Sequence, residues 1–268
     1  MPTPIDDPDD PRIADFVNLR TDDVKDPMAA KFVAEGRLCC RRLAESEYAL
    51  RSILVQNGRQ DEAASWVDPD VPVYHADKRL LESITGFPFH RGFLASADRP
   101  KRTGIEPLLQ NHSRPSRTIA AIGVSQRENL GSIIRTATAF GFDHLLLDPA
   151  AADPYSRRAV RTSMGTLFRQ RVHSIGNESS DVVADIHRLN RAGYRTVATS
   201  IEPSSIDVDQ WTPDDRPLVV LVGSEADGLP IDVQQSATDR VRIVMADGID
   251  SLNVSVAAAI CMHRLRVR

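Results

Sequence analysis

Arg117-Thr-Ile-Ala-Ala-Ile-Gly-Val-Ser-Gln-Arg-Glu-Asn-Leu-Gly-Ser-Ile-Ile-Arg-Thr-Ala-Thr-Ala-Phe-Gly-Phe-Asp-His-Leu-Leu-Leu-Asp148 reads as strand, helix and strand in one sweep. Residues 118–124 and 144–148 are short, almost unbroken apolar runs, the mark of strands buried on both faces. Leu130 to Phe140 carries apolar residues at helical spacing, and Gly141 stops it. Downstream the alternation repeats. Helices are predicted over Ser156 to Met164, Asp181 to Ala192 and Ser251 to Leu265. Strands are predicted at Arg195 to Thr199, Pro217 to Gly223 and Arg240 to Met245. The expected fold class is α/β with a parallel sheet covered on both sides. Ligands of such sheets bind beyond the carboxyl ends of the strands. The loops after Val124, Thr199, Gly223 and Met245 are therefore the places to search.

Upstream the reading is coarser. Residues 1–26 hold eight aspartates against Arg12, Arg20 and Lys25, a balance of −5, with prolines between them. They are expected to form a flexible acidic leader. From Met28 the residues Phe32, Val33, Gly36, Leu38, Cys39 and Leu43 recur at helix-face spacing. Short strands at Ser52 to Val55 and Val71 to Tyr74, and a helix at Lys78 to Ile84, make 27–100 a small α/β domain. Residues 101–116, basic and proline-broken, are expected to be a linker, and 117–268 the larger domain.

Composition excludes several classes. With 268 residues, 41% hydrophobic and 26% charged, the chain can bury a sizeable core and is not disordered throughout. Its longest weakly polar run, Leu252 to Met262, is too short to span a bilayer. Cys39, Cys40 and Cys261 make neither a disulfide framework nor a zinc pattern. A reduced, cytoplasmic protein without membrane or metal is expected. The net charge of −4 resides in the leader; the other 30 basic and 29 acidic residues nearly cancel. Only four of the 33 basic residues are lysine. Codon usage explains that bias most simply, and planar phosphate contacts are the sharper alternative.

Neither a dinucleotide glycine fingerprint nor a phosphate-binding loop follows the strand at 118–124. Three segments stand out instead. Asn129-Leu-Gly-Ser-Ile-Ile-Arg135 opens a helix. Leu221-Val-Gly-Ser-Glu-Ala-Asp-Gly-Leu-Pro230 runs from a strand into a tight loop holding Glu225. Ile243-Val-Met-Ala-Asp-Gly-Ile-Asp-Ser-Leu-Asn-Val-Ser-Val-Ala-Ala-Ala-Ile260 leads into a helix of small residues. Singly, each has a plain structural reading. Asn129 and Ser251 can be helix caps, Gly223 and Gly228 turn residues, and Arg135 a residue reaching for solvent.

In this order the three segments resemble the SpoU family of RNA ribose 2′-O-methyltransferases, in the SPOUT superfamily. A fourth stretch, Arg161-Thr-Ser-Met-Gly-Thr-Leu-Phe168, looks like another segment of that family. The likeness covers about residues 117–268. Phe32-Val-Ala-Glu-Gly36 and Ile84-Thr-Gly-Phe-Pro-Phe-His-Arg-Gly92 are similar to the substrate-binding domain that many members carry, itself related to certain large-subunit ribosomal proteins. Two positions depart from the pattern: Val244 stands where proline is usual, and Ala226 where a loop glycine is usual.

The resemblance implies a trefoil-knotted catalytic domain, a homodimer, S-adenosylmethionine as cofactor and RNA as substrate, ribosomal RNA ahead of transfer RNA. It implies that Gly223, Ile243, Leu252 and Thr199 contact the cofactor. Asn129, Arg135, Glu225, Ser251 and Asn253 match its polar catalytic set. The family's proposed base matches Arg135, but arginine stays protonated, so clamping a phosphate is the easier task. The alternative is an RNA-binding or ribosome-assembly protein with this fold and little turnover.

Overall fold

The computed structural model describes residues 1–19, 30–110, 116–176, 181–249 and 251–266. Met1–Lys101 together with Asp153–Phe168 form one compact unit; Arg102–Ala152 with Arg169–Arg268 form a second.

The first unit is built on a mixed sheet. Its strands are β1 (Thr3–Pro4), β2 (Lys31–Glu35), β3 (Leu50–Gln56), β4 (Val73–Ala76) and β5 (Phe93–Asp98), in the order β1-β4-β3-β5-β2. β5 runs antiparallel to β2 and β3, whereas β1 and β3 lie parallel to β4. The acidic leader is not free over its described residues. Thr3 and Pro4 add to the sheet edge, and Ile5, Ile13, Phe16 and Leu19 are buried in a core with Val33, Leu54, Leu81 and Leu94. Those four side chains outweigh the acidic composition: burying each is worth about 1.5–3 kcal/mol, while Asp6, Asp7 and Asp9 face water and Asp10 and Asp15 pair with Arg12 and Lys31. Asp15 pairs with Lys31 and accepts from Ser96. Residues 20–26 of the expected leader lie outside the described residues.

The helix expected from Met28 is corrected as well. Lys31–Glu35 is a strand, and the helix begins only at Arg37, after Gly36 turns the chain at φ +96°. Phe32 and Val33 are adjacent because a strand sends them to opposite faces. Val33 enters the core just described. Phe32 meets the rings of Tyr48, Tyr155 and Phe168. Tyr155 and Phe168 bracket the helix Arg157–Thr162, so the stretch 153–168, expected in the larger domain, is a piece of the first unit.

The second unit holds seven parallel strands: β6 (Arg117–Ala121), β7 (His144–Leu147), β8 (Arg171–Ser174), β9 (Arg195–Thr199), β10 (Ile206–Asp207), β11 (Leu218–Val222) and β12 (Asp239–Arg242). Their order is β10-β12-β9-β11-β6-β7-β8, and every neighbouring pair is parallel. Val219 and Leu221 point into one core with Ala120, Leu146, Ile186 and Leu189. The alternate residue Val220 is equally buried, so both faces are covered. The helix Val254–Leu265 packs on the helix Arg127–Ala139 and on β11. The expected linker 101–116 is corrected over its described part. Thr103 bridges to His173, and the helix Glu106–Gln110 buries Leu108 beside Ile105 in this unit's core. Residues 111–115 of that linker lie outside the described residues. No helix among the described residues is long and apolar enough to cross a membrane.

Candidate active site

Strand order explains the site. β12, β9 and β11 are neighbours and parallel, so their carboxyl ends deliver three loops side by side: Thr199–Glu202, Gly223–Leu229 and Ile243–Met245. Together with Ser251, Leu252, Val254, Ala257 and Cys261 from the C-terminal helix and its approach, they line a cavity of about 610 Å³. Pockets for cofactor-sized molecules run to roughly 300–1,000 Å³. Thr199, Gly223, Ile243 and Leu252, the positions expected at a cofactor, all line this one cavity, and so do Glu225 and Ser251. The loop after Val124 does not contribute to it.

Gly223 is required by crowding. A Cβ there would overlap the Gly228 carbonyl and the Leu229 amide nitrogen. The loop closes on itself where Ser224 and Gly228 exchange backbone hydrogen bonds, each 3.2 Å, and the Ser224 hydroxyl accepts from Asp227 N. Gly228 supplies the left-handed turn at φ +68°. Ala226 does not have a positive φ, so the departure at this position strains nothing. The Thr199 hydroxyl donates to Leu221 O at 3.1 Å, tying β9 to β11 at the cavity mouth. Burial pushes the Cys261 thiol up to about 12, which keeps it an uncharged wall.

The polar residues form a directed chain. Asn253, not Ser251, caps the C-terminal helix: its Oδ1 accepts from Ser255 N at 2.9 Å and from Ser255 Oγ at 2.6 Å. That fixes the amide orientation. Asn253 Nδ2 must point away from the helix, and it donates to Asn129 Oδ1 at 3.0 Å. Asn129 is thereby oriented too; its Nδ2 donates to Glu225 Oε1 at 2.6 Å and to Gln126 Oε1 at 3.2 Å. Asn129 is not the cap of its own helix, which begins at Arg127 after Gln126. Two amides 124 positions apart thus set one carboxylate at the edge of the cavity. Arg135 is not part of this chain. Six residues along a helix turn it away from Asn129; it is exposed and has no hydrogen bond or ion pair among the described residues.

Sequence reasoning missed Gln126, whose role shows only in three dimensions, and the wall made by Ser200, Ile201, Leu229 and Ile231. The strand expected to run to Met245 ends at Arg242, so Ile243 and Met245 are free to face the cavity from a loop. No cluster of three or more metal-binding side chains occurs among the described residues.

Comparison with known proteins adds the following. The family model described as the SpoU rRNA Methylase family matches residues 116–263. An uncharacterised tRNA/rRNA methyltransferase of Mycobacterium tuberculosis is 31% identical over 96% of this chain and 89% of its own length. A 23S rRNA (guanosine-2′-O-)-methyltransferase of Nitrosomonas europaea is 25% identical over 82% of this chain and 85% of its own. Among solved structures, an AdoMet-bound rRNA methyltransferase from Sinorhizobium meliloti superposes with a TM-score of 0.79 at 24% identity, covering 98% of this chain and 97% of that one.

Proposed function

Because the chain belongs to the SpoU rRNA methylase family, whose members methylate RNA, we propose that it methylates a ribose 2′-hydroxyl in structured RNA using S-adenosylmethionine. The observation that carries this reading is the single cavity in which three distant loops and four expected cofactor positions meet. Its size and mixed lining fit such a cofactor, and Gly223 lets its loop close tightly on Gly228 and Leu229 at one wall. The cofactor, when bound, supplies an activated methyl group on sulfur.

The chain's own residues have two tasks. A ribose hydroxyl must lose its proton as it reacts, and it must be held in line with the methyl group; positioning of that kind supplies much of a barrier reduction. Glu225, aimed by Asn129 and Asn253, is placed to hold the hydroxyl or a group beside it. Arg135 serves best as a clamp on the phosphate of the target nucleotide. Its exposure, with no side-chain partner among the described residues, supports a homodimer in which it reaches the partner's cavity. Exposed Val244, Ile249, Leu252 and Val256, in one stretch, support the same arrangement. We take the C-terminal segment to form the family's knot: it leaves β12 on one side of β9 and returns to pack on β11. The first unit is read as the RNA-docking domain. Its resemblance to the family's substrate-binding domain, itself related to certain ribosomal proteins, favours ribosomal over transfer RNA, and we take the work to be cytoplasmic.

The test is a thermal-shift titration with S-adenosylmethionine, a tritiated-methyl assay on ribosomal and transfer RNA, and mapping of 2′-O-methyl sites in a deletion strain. Arg135→Ala is expected to lose at least a hundredfold in methyl transfer, as loss of a positioning group does, while the thermal shift persists. Full activity in that variant would sink the role. Binding of RNA by the wild type without any cofactor shift would instead favour the assembly-protein reading.

A further inference from the structure

A second charged site is made wholly of residues of the first unit. Glu35 ends β2 with its side chain only 7% exposed. Three guanidinium groups surround its carboxylate: Arg91 Nε at 3.7 Å from Oε1, and Arg157 Nη1 at 3.5 Å and Arg161 Nη1 at 3.6 Å from Oε2. One carboxylate is therefore shared among three guanidinium groups. Arg157 is mostly buried, with its guanidinium 4.1 Å over the Phe87 ring. Arg91 and Arg161 are 51% and 37% exposed, and Glu35 is their only ion-pair partner among the described residues. A committed guanidinium–carboxylate bond is about 2.7–2.9 Å. At 3.6–3.7 Å these arginines are gathered by Glu35 without being consumed by it. The nearby Cys39 thiol, pushed up to about 11 by burial, adds no negative charge.

We propose that Arg91 and Arg161, collected by the buried Glu35, bind a phosphodiester of the RNA substrate. The assignment rests on RNA being the substrate. A planar fork with uncommitted N–H groups suits phosphate oxygens, and an anion there can be held by Arg91 and Arg161 together. Glu35 is a positioning residue: it lies beneath the arginines and pays part of their mutual repulsion.

Binding of a fluorescently labelled ribosomal RNA fragment to the full chain, read by anisotropy across a salt series, tests this. The double variant R91Q/R161Q is expected to bind roughly tenfold more weakly at about 0.15 M salt, with the slope of log affinity against log salt shallower by about 1 to 2. Its thermal shift with S-adenosylmethionine should match wild type. Glu35→Gln should do the opposite: bind RNA more tightly while melting at a lower temperature. Unchanged affinity and slope in R91Q/R161Q, with wild-type RNA binding intact, overturn the site and leave the enzymatic reading standing. Weakened binding in Glu35→Gln also overturns it, because the cluster would then act through folding alone. Displacement of RNA by millimolar inorganic phosphate without a salt slope in the wild type would make it a free-anion site instead. Absence of any RNA binding by the wild type defeats the RNA reading itself, and this site with it.

Discussion

Gly223 carries the sharpest expectation at the level of single residues. Alanine there drives a methyl group into the Gly228–Leu229 backbone, which cannot give way as a flexible side chain could. Gly223→Ala is expected to weaken S-adenosylmethionine binding more than tenfold by calorimetry, whereas Ala226→Gly, three residues on, should change it little because Ala226 does not have a positive φ. Asn253 separates two roles in one side chain. Asn253→Asp keeps the cap acceptor, so the melting temperature should hold within a few degrees, while Asn253→Ala loses about 1 kcal/mol of helix stability. Both remove the donor that orients Asn129, so both should lose methyl transfer. Equal activity in Asn253→Asp and wild type would show that the amide chain aims nothing. The sequence offered Asn129, Glu225 and Asn253 as separate candidates. What it could not offer was their order, because amide orientation is set by a cap visible only in three dimensions.

The edge of the parallel sheet holds an acid-sensitive pair of elements. His144 on β7 and His173 on β8 face each other, Nδ1 to Nε2 at 3.0 Å, and Thr103 contacts the other nitrogen of His173 at 3.0 Å. Burial first, then the neighbouring His144 and Arg171, lowers His173 from its ordinary value near 6.5 to about 4; His144 is lowered by burial and Arg171. The unfolded chain thus binds protons that the folded pair refuses. Stability is complete above about pH 6.5 and is lost as pH falls toward 4, by about 3 kcal/mol from His173 alone. Melting temperature measured from pH 7.5 to 4.5 should fall, and His173→Gln should flatten that fall; a parallel curve in the variant would exclude the pair as its cause. Elements with one unambiguous period were legible from sequence. β9 matches its expected bounds, and the helix Val182–Arg191 falls within a residue of its expected bounds at each end, with Asp181 as its cap rather than its first residue. β2 was not legible. Phe32 and Val33 are both apolar because both faces of that strand are buried, and such a strand imitates a helix face.

Over the whole molecule, the described parts of the expected acidic leader and linker proved to be structure, since composition weighs charges equally while a few buried apolar side chains decide the packing. Removing residues 1–19 is therefore expected to strip Ile5, Ile13, Phe16 and Leu19 from the first unit, a gross loss of about 6–12 kcal/mol at the upper bound. Calorimetry should show one transition moved sharply down or absent; an unchanged thermogram would mean the segment is an ornament. The first unit is also discontinuous in sequence: its last piece, Asp153–Phe168, follows β6 and β7 of the second. During synthesis the ribosome releases residues 1–101 before the aromatic side chains that complete the Phe32 cluster have been made. The nascent first unit must then wait, with that apolar face open, while the beginning of the second unit emerges. Chain growth here imposes a schedule: the earlier unit finishes only after the later one has begun, and a fragment cut at residue 101 would remain at that unfinished stage.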